Sequence, residues 1–479
     1  MCGIVGIFAH DAVAENLVYA LSALQHRGQD AAGVVTFDRK FHIKKGRGLV
    51  SEVFRSSSDV DGLAGRIGLG HTRYATQGST ELLDAQPFFM GYPFGMAMVH
   101  NGNVTNFEAL REELQQERNR VIETTNDLEL LLYTLAFKLE CAGYSELTPA
   151  KIFDAVSQLR RKVDGAYSTV TILAQKGMLA FRDAHGLRPL LYGRKVGPRG
   201  TEHAFASESA VFDYLGYELV RDLAPGETMF IDMSGQVHSH VEPAGSQKAS
   251  FCSFEFIYFA REDSVFGGHL VAGERVKMGR LLAKAIRRQG LQPDVIIDVP
   301  SSAYFAASAL AEELGVPYRR GLTKNNHVGR SFIVPSQIDR ERLVRQKLNP
   351  IRDVLVGKKV AIVDDSIVRG TTSKHIVRTI RESGATEVYM VSAAPPLRHP
   401  CVYGIDIARR AELIAARSDL GAVREAIGAD AVVYPDVEEF RTLFAGRPSC
   451  FACFDGDYPT PVSEEERNSM EREKIASRR

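Results

Sequence analysis

The sequence predicts an α/β protein of two domains, with sheets layered under helices in its first half and a doubly wound parallel sheet in its second. Three observations lead there. The first half alternates short apolar runs, Gly-rich turns and amphipathic stretches. A polar break from about Gln236 to Ser250 carries Pro243, Gly245, Ser246, Gln247 and Lys248. Beyond the break, apolar runs alternate with single amphipathic helices, and strands joined that way run parallel. At 479 residues the chain has room for two or three cores.

In chain order, the first half places strands at 4–8, 31–36, 96–99, 169–173 and 190–192, and helices at 13–23, 105–117, 127–139 and 150–161. After the break come a buried strand at 294–299, a helix at 304–314, a strand at 360–363, a helix at 373–382 and a strand at 387–392. Residues 463–479 are charged and poor in apolar side chains, as expected of a surface helix or a frayed tail. Cys141 falls on an amphipathic helix and reads as core. No internal repeat is present.

Composition narrows the partners. The 59 basic residues balance the 59 acidic ones, which argues against nucleic acid or an anionic membrane as the main partner. The opening apolar stretch lacks a basic flank and is cut by His10 and Asp11, so it does not read as a signal peptide. No run approaches the length of a membrane span. A cytoplasmic protein is expected, and there six cysteines are catalytic, metal-binding or buried rather than a disulfide framework.

Cys2 follows Met1 directly. With Met1 removed, its thiolate is a nucleophile and its α-amine, with a reference pKa of about 7.7–8.0, is a base close to neutrality. Taken alone, a cysteine there is as well read as a small buried residue in an edge strand. Three segments accompany it: His26-Arg27-Gly28-Gln29-Asp30, the stretch from Gly70 to Gly78 around Arg73, and His100-Asn101-Gly102-Asn103. Together they resemble the N-terminal-nucleophile glutaminase domain of the class II glutamine amidotransferases over about residues 2–240. The resemblance implies a four-layer αββα domain in which Cys2 attacks the amide of glutamine. It implies that Asn101 and the Gly102 N–H stabilise the oxyanion, that Arg73 holds the substrate α-carboxylate and that Asp127 holds its α-ammonium. Asn126 stands where the family usually has serine. A different glutaminase design pairs an internal Gly-x-Cys-x-Gly elbow with His-x-Glu. His240-Val241-Glu242 supplies only the second part, so that design is rejected.

In the second half, 360–363 delivers Asp364 and Asp365 to the end of a buried strand. Ser366, Ile367, Val368, Arg369, Gly370, Thr371 and Thr372 then lead into a helix. Ligands of open α/β sheets bind at such strand ends, and small residues before a helix N-terminus suit a phosphate. Two aspartates alone would equally suit a structural pair or the Mg²⁺ site of a receiver-type domain. The full stretch resembles the pyrophosphate loop of the type I phosphoribosyltransferases, here over 250–462. That implies Mg²⁺ held through Ser302, Asp364 and Asp365, phosphoribosyl pyrophosphate bound by 364–372, and a loop carrying Lys324 and Arg330 that closes over it. Ser301-Ser302-Ala303, Asn326-His327 and Ala184-His185 depart from the family pattern.

Cys252, Cys401, Cys450 and Cys453 supply four thiolates from three segments. By spacing they suit zinc or an iron–sulfur cluster equally. Their contexts are similar to a cluster-binding branch of the family, which implies a [4Fe–4S] cluster. The two halves together resemble the glutamine-dependent phosphoribosyltransferases that begin purine synthesis. The resemblance implies glutamine and phosphoribosyl pyrophosphate as substrates, purine nucleotides as inhibitors and a homo-oligomer, dimer or tetramer. The sister enzymes acting on fructose 6-phosphate are disfavoured, because they need sugar-isomerase domains. The alternative is a regulator that binds phosphoribosyl pyrophosphate with a degenerate transferase site.

Overall fold

Seven antiparallel strands form the first sheet, in the order Glu218–Asp222, Leu191–Gly197, Gly200–Ala206, Gly3–Phe8, Ile67–Arg73, Ala31–Phe37 and Phe41–Arg47. This computed structural model describes residues 1–74, 81–242, 249–325, 348–407, 409–467 and 470. A second antiparallel sheet of six strands runs Val237–Val241, Glu227–Asp232, Gly177–Arg182, Gly165–Leu173, Met96–Val104 and Phe88–Met90.

The two sheets face each other. Ile4, Phe8, Val35 and Leu69 of the first pack with Val99, Val170, Ile172 and Met229 of the second. The outward side chains of each sheet are covered in turn. Val5, Ile7 and Val34 lie under the helices Ala14–Ala23 and Ala210–Leu215. Met98, Leu179 and Phe230 lie under Phe107–Arg118, Asp127–Cys141 and Pro149–Arg160. Helix, sheet, sheet and helix make the four-layer αββα arrangement. Strand Gly3–Phe8 is buried along its whole length because both of its faces meet apolar layers.

The second half contains a four-stranded parallel sheet ordered Val295–Asp298, Lys359–Asp364, Glu387–Ser392 and Ala431–Val433. Helices Val271–Arg288 and Tyr304–Leu314 pack on one face. Thr371–Glu382 and Leu420–Ile427 pack on the other, so the sheet is doubly wound. A continuous core runs from beneath the first sheet to Phe254, Phe256 and Phe440 and joins the halves.

Two expectations are corrected. Cys141 is exposed, because it closes its helix where the apolar stripe has already turned away. The polar stretch at 236–250 is not all linker, since Val237–Val241 is an edge strand paired to Glu227–Asp232. Its exposed side chains are those of an edge with one face in solvent, which is why its composition resembles a loop. Residues 243–248 and most of 463–479 lie outside the described residues. Among the described residues no helix is long and apolar enough to cross a membrane.

Candidate functional site

Strand Gly3–Phe8 lies centrally in its sheet, and Gly3 is paired with Thr72, so Cys2 emerges at the strand's entry beside the end of Ile67–Arg73. Its thiol lies 3.7 Å from the Tyr74 carbonyl oxygen. Asn101, on the facing sheet, accepts from the Cys2 backbone N–H through Oδ1 at 3.2 Å. That bond turns the Asn101 amide group away, and the buried Nδ2 has no partner among the described residues. A buried donor without a partner costs free energy, so its persistence beside the Cys2 thiol suits a ligand atom. Gly102 follows it. A Cβ there would stand 1.9 Å from the Ala166 carbonyl oxygen, so only glycine lets the backbone N–H take this position.

Arg27 fixes the other side of Cys2. Its guanidinium is buried, donates from Nε to the Cys2 carbonyl at 3.0 Å, and is bracketed by Glu208 at 2.5 Å and Glu255 at 2.9 Å. Burial alone would push the Glu208 carboxyl up. Arg27 and His26 outweigh it and hold Glu208 well below the usual range. Met1 is itself buried beside Arg188, and its α-amine is pushed down to about 6 by burial. While Met1 is attached, the Cys2 nitrogen is an amide and cannot serve as a base.

The expected substrate residues converge on the same place. Arg73 is 2% exposed, and its guanidinium lies 3.7 Å from Asp84. Asp84 also accepts from the Thr125 N–H at 3.1 Å and hydroxyl at 2.7 Å, tying the arginine to the segment that starts the next helix. Asn126 caps that helix by accepting from the Leu128 N–H at 3.0 Å, and its amide donates to the Asp84 carbonyl at 2.8 Å. It therefore does the capping work expected of a serine. Asp127 is buried, and burial alone would raise its carboxyl. His100, the Val104 N–H at 2.9 Å and Arg73 overcome that and hold it ionised, below the usual range.

The second cluster sits at the C-terminal end of Lys359–Asp364. Asp364 accepts from the Ser302 hydroxyl at 3.1 Å and from the Asp365 N–H at 2.9 Å, while the Ser366 hydroxyl donates to Asp365 at 2.6 Å. Both carboxyls are buried and pushed up, by burial first; for Asp364 the neighbouring Asp365 charge adds to it. Among the described residues neither forms an ion pair. A buried carboxylate pair raised in this way has the chemistry to accept a cation. Gly370, at φ +77°, turns the loop into the helix Thr371–Glu382. Ser301 takes φ +72°, a strained conformation beside Ser302. Lys324 is exposed at the end of strand Leu322–Lys324. Arg330 and Asn326-His327 lie outside the described residues. The departure at Ala184-His185 is a turn held by Asp183, whose carboxylate accepts from the His185 and Leu187 N–H groups.

All four remaining cysteines are buried and free. Phe251–Cys252 pairs in parallel with Ser449–Cys450, placing Cys252 opposite Cys450. Cys401 and Cys453 join them closely enough for the thiols to raise one another, though burial is the larger cause for Cys450 and Cys453. Among the described residues no three His, Cys, Asp or Glu side chains converge tightly enough to hold a single metal ion.

One stretch of chain touches every cluster. It begins at Cys401. The Val402 carbonyl accepts from Asn103 Nδ2 at 3.0 Å, and Asp406 accepts from the Tyr74 hydroxyl at 3.1 Å. A Cβ at Gly404 would stand 2.7 Å from the Gly102 carbonyl oxygen. Further on, Glu412 accepts from Arg369 at 2.6 Å, and the Ile414 N–H donates to the Val368 carbonyl at 3.0 Å.

Residues 71–213 match a family model described as a glutamine amidotransferase domain. The chain is 44% identical to the amidophosphoribosyltransferase of Haemophilus influenzae, covering 91% of this chain and 87% of that one. The Archaeoglobus fulgidus amidophosphoribosyltransferase is 40% identical over 97% of this chain and 99% of its own length. This chain belongs to the amidophosphoribosyltransferase family. A solved member, the glutamine phosphoribosylpyrophosphate amidotransferase of B. subtilis complexed with ADP and GMP, superposes with a TM-score of 0.85. It is 36% identical and covers 97% of this chain and 98% of its own. Both the αββα domain and the doubly wound domain are thus those of an amidophosphoribosyltransferase. Sequence reasoning missed Asp84, Gln86, Glu208 and Asp406, polar residues with no motif around them, and saw Glu255 only as a neighbour of Cys252. Burial marks out all but Asp406, which is half-buried and is marked by its contact with the Tyr74 hydroxyl.

Proposed function

We propose that this chain makes 5-phosphoribosylamine, pyrophosphate and glutamate from glutamine, water and phosphoribosyl pyrophosphate, the first step of purine synthesis. The Cys2 thiol attacks the glutamine amide, and with Met1 removed its proton passes to the Cys2 α-amine. The tetrahedral oxyanion accepts from Asn101 Nδ2 and the Gly102 N–H, donors worth roughly 3–4 kcal/mol each in such transition states. Ammonia leaves with the proton held by the amine, and water releases glutamate from the thioester. Arg73 binds the substrate carboxylate and Asp127 its ammonium, fixing the amide against Cys2.

Ammonia then displaces pyrophosphate from the ribosyl carbon in the second site. The amides and hydroxyls of 367–372 cradle the 5-phosphate, and Lys324 and Arg330 contact the pyrophosphate side. Ser302, Asp364 and Asp365 would hold Mg²⁺, which neutralises the departing pyrophosphate when bound. The buried, unpaired carboxylates fit that ion. Cys252, Cys401, Cys450 and Cys453 would hold a [4Fe–4S] cluster in a structural or oxygen-sensing role. Four buried free thiols, two of them opposite each other on paired strands, support that set. We take 2–240 as the glutaminase domain, 250–462 as the transferase domain and 463–479 as a tail. The ADP and GMP carried by the B. subtilis relative support purine nucleotides as inhibitors.

The observation that carries this reading is the unpartnered Asn101 amide beside Cys2, in a chain that also presents Asp364 and Asp365. Its test is Cys2→Ala. The variant is expected to lose pyrophosphate release with glutamine and to keep it with ammonium. A folded variant that loses both refutes the division of labour, and a native protein that releases no pyrophosphate with either donor favours the regulator.

A further inference from the structure

Behind Asp127 lies a chain of buried polar groups that the mechanism above does not use. His100 is 3% exposed, and its Nε2 lies 3.4 Å from Asp127 Oδ2. On the other side of the ring, Nδ1 lies 3.2 Å from Gln86 Nε2, and Gln86 Oε1 accepts from the His100 backbone N–H at 2.8 Å. Gln86 is itself 2% exposed.

The protonation of His100 follows from this geometry without any hydrogen being seen. The backbone N–H can only donate, so the Gln86 atom facing it is the oxygen. The other end of that amide is then a donor, and it faces Nδ1. A donor facing Nδ1 requires the ring nitrogen to accept, so Nδ1 carries no proton. The imidazole is therefore neutral, with its single proton on Nε2, the nitrogen that faces the Asp127 carboxylate. An imidazolium would set two N–H groups against each other at Nδ1. The other neutral tautomer would set a lone pair against the carboxylate and leave Gln86 opposed as well.

His71, from the facing sheet, closes the arrangement. It is fully buried, and neither ring nitrogen has a partner among the described residues. Burial first, with the Arg73 charge adding to it, pushes its ionisation well down, so it remains uncharged. Around Asp127 the neighbouring imidazoles thus add no full positive charge, and the carboxylate keeps its own charge for a ligand.

We propose that Gln86 and His100 are positioning residues for the ammonium-binding carboxylate. Gln86 sets the His100 tautomer, and His100 Nε2–H orients Asp127 Oδ2 without neutralising it. At 3.4 Å, and with Nε2 in no aligned hydrogen bond among the described residues, the contact is a long one between ring and carboxylate. It orients the carboxylate more than it competes with a substrate ammonium, whereas a lysine or arginine there would cancel the charge the substrate needs. The inference rests on the reading that Asp127 receives the α-ammonium of glutamine.

The test has two arms on the full-length, Met1-free protein. In the first, ¹⁵N spectra of histidine-ring-labelled protein are recorded, with His100 assigned by its absence in His100→Gln. An Nε2-protonated neutral ring in the native protein, giving way to mixed tautomers in Gln86→Met, is expected. An imidazolium or an Nδ1-protonated ring overturns the assignment. In the second, Gln86→Met should raise the KM for glutamine about 10-fold, the scale of a hydrogen bond to a charged group, with kcat within about 2-fold. His100→Gln, which restores an N–H donor, should recover most of the affinity that His100→Leu loses. A fall in kcat at constant KM, or an unchanged KM with an altered tautomer, overturns the positioning role. A native protein that fails to use glutamine at all refutes the functional reading instead, and the spectra still decide the tautomer.

Discussion

The two sites handle buried charge in opposite ways. Around Cys2 the charges are compensated: Arg27 lies between Glu208 and Glu255, and Arg73 lies beside Asp84 and Asp127. At the end of the parallel sheet, Asp364 and Asp365 are buried side by side with no ion pair among the described residues, and both are pushed toward the neutral form. The difference matches the role proposed for each site. A nucleophile whose only base is an amine is best held by a finished scaffold before substrate arrives. A site proposed to take a metal ion with its substrate can keep two like charges together, held by hydroxyl and backbone donors.

The sharpest way to break this contrast is to spoil the compensation. Arg27→Met removes the cation shared by Glu208 and Glu255, leaving these buried charges to His26 and Arg188, and a loss of about 3–5 kcal/mol is expected by chemical denaturation. The depressed Glu208 ionisation also sets a sign with pH. Its contribution is fully present above the unfolded-state value near 4.5 and is lost as pH falls through the lower folded value. The acid limb of the native protein should therefore be steeper than that of the variant. Asn101→Ala comes next, with a loss of roughly 3–4 kcal/mol in kcat/KM for glutamine. Ammonium-dependent turnover should be unchanged, and a matching loss there would mean that the sites are not separable.

At the other site the expected effect is smaller and reversed in sign. Asp364→Asn removes one of two like charges, so the metal-free variant should melt a few degrees higher than the native protein while losing transferase activity. Without a cation, the raised ionisation of the pair costs stability as pH rises above about 3.8. The rise in melting temperature on adding Mg²⁺ should therefore grow with pH in the native protein and be nearly flat in Asp364→Asn. The smallest effect is at the helix cap, where Asn126→Ser should be almost neutral and Asn126→Ala should cost about 1 kcal/mol.

How much of each site could be read in advance also differs. The loop 364–372 is contiguous, and its strand and helix come from adjacent sequence, so its pattern could be matched as one stretch to the pyrophosphate loop of the family. Cys2, Arg73, Asn101 and Asp127 were legible only as separate weak motifs that a family resemblance joined. Asp84 and Gln86 were not legible at all. Neither belongs to a patterned segment, and their roles arise from what sits opposite them across a strand or loop. Several strands were missed for a related reason. Phe41–Arg47 and Val237–Val241 are edges whose side chains are mostly exposed or half-buried, so the alternation that marks a strand is weak in them.

By itself the sequence determined the layered and doubly wound halves and singled out Cys2 and the loop 364–372. Each of those depends on apolar period or on neighbouring residues, which are local properties. Only the tertiary structure decided which buried groups are paired, that the stretch from Cys401 to Ile414 touches both sites, and which nitrogen of His100 carries its proton. Those depend on residues dozens to hundreds of positions apart meeting where water is excluded, and there a single donor or acceptor fixes the state of its neighbour.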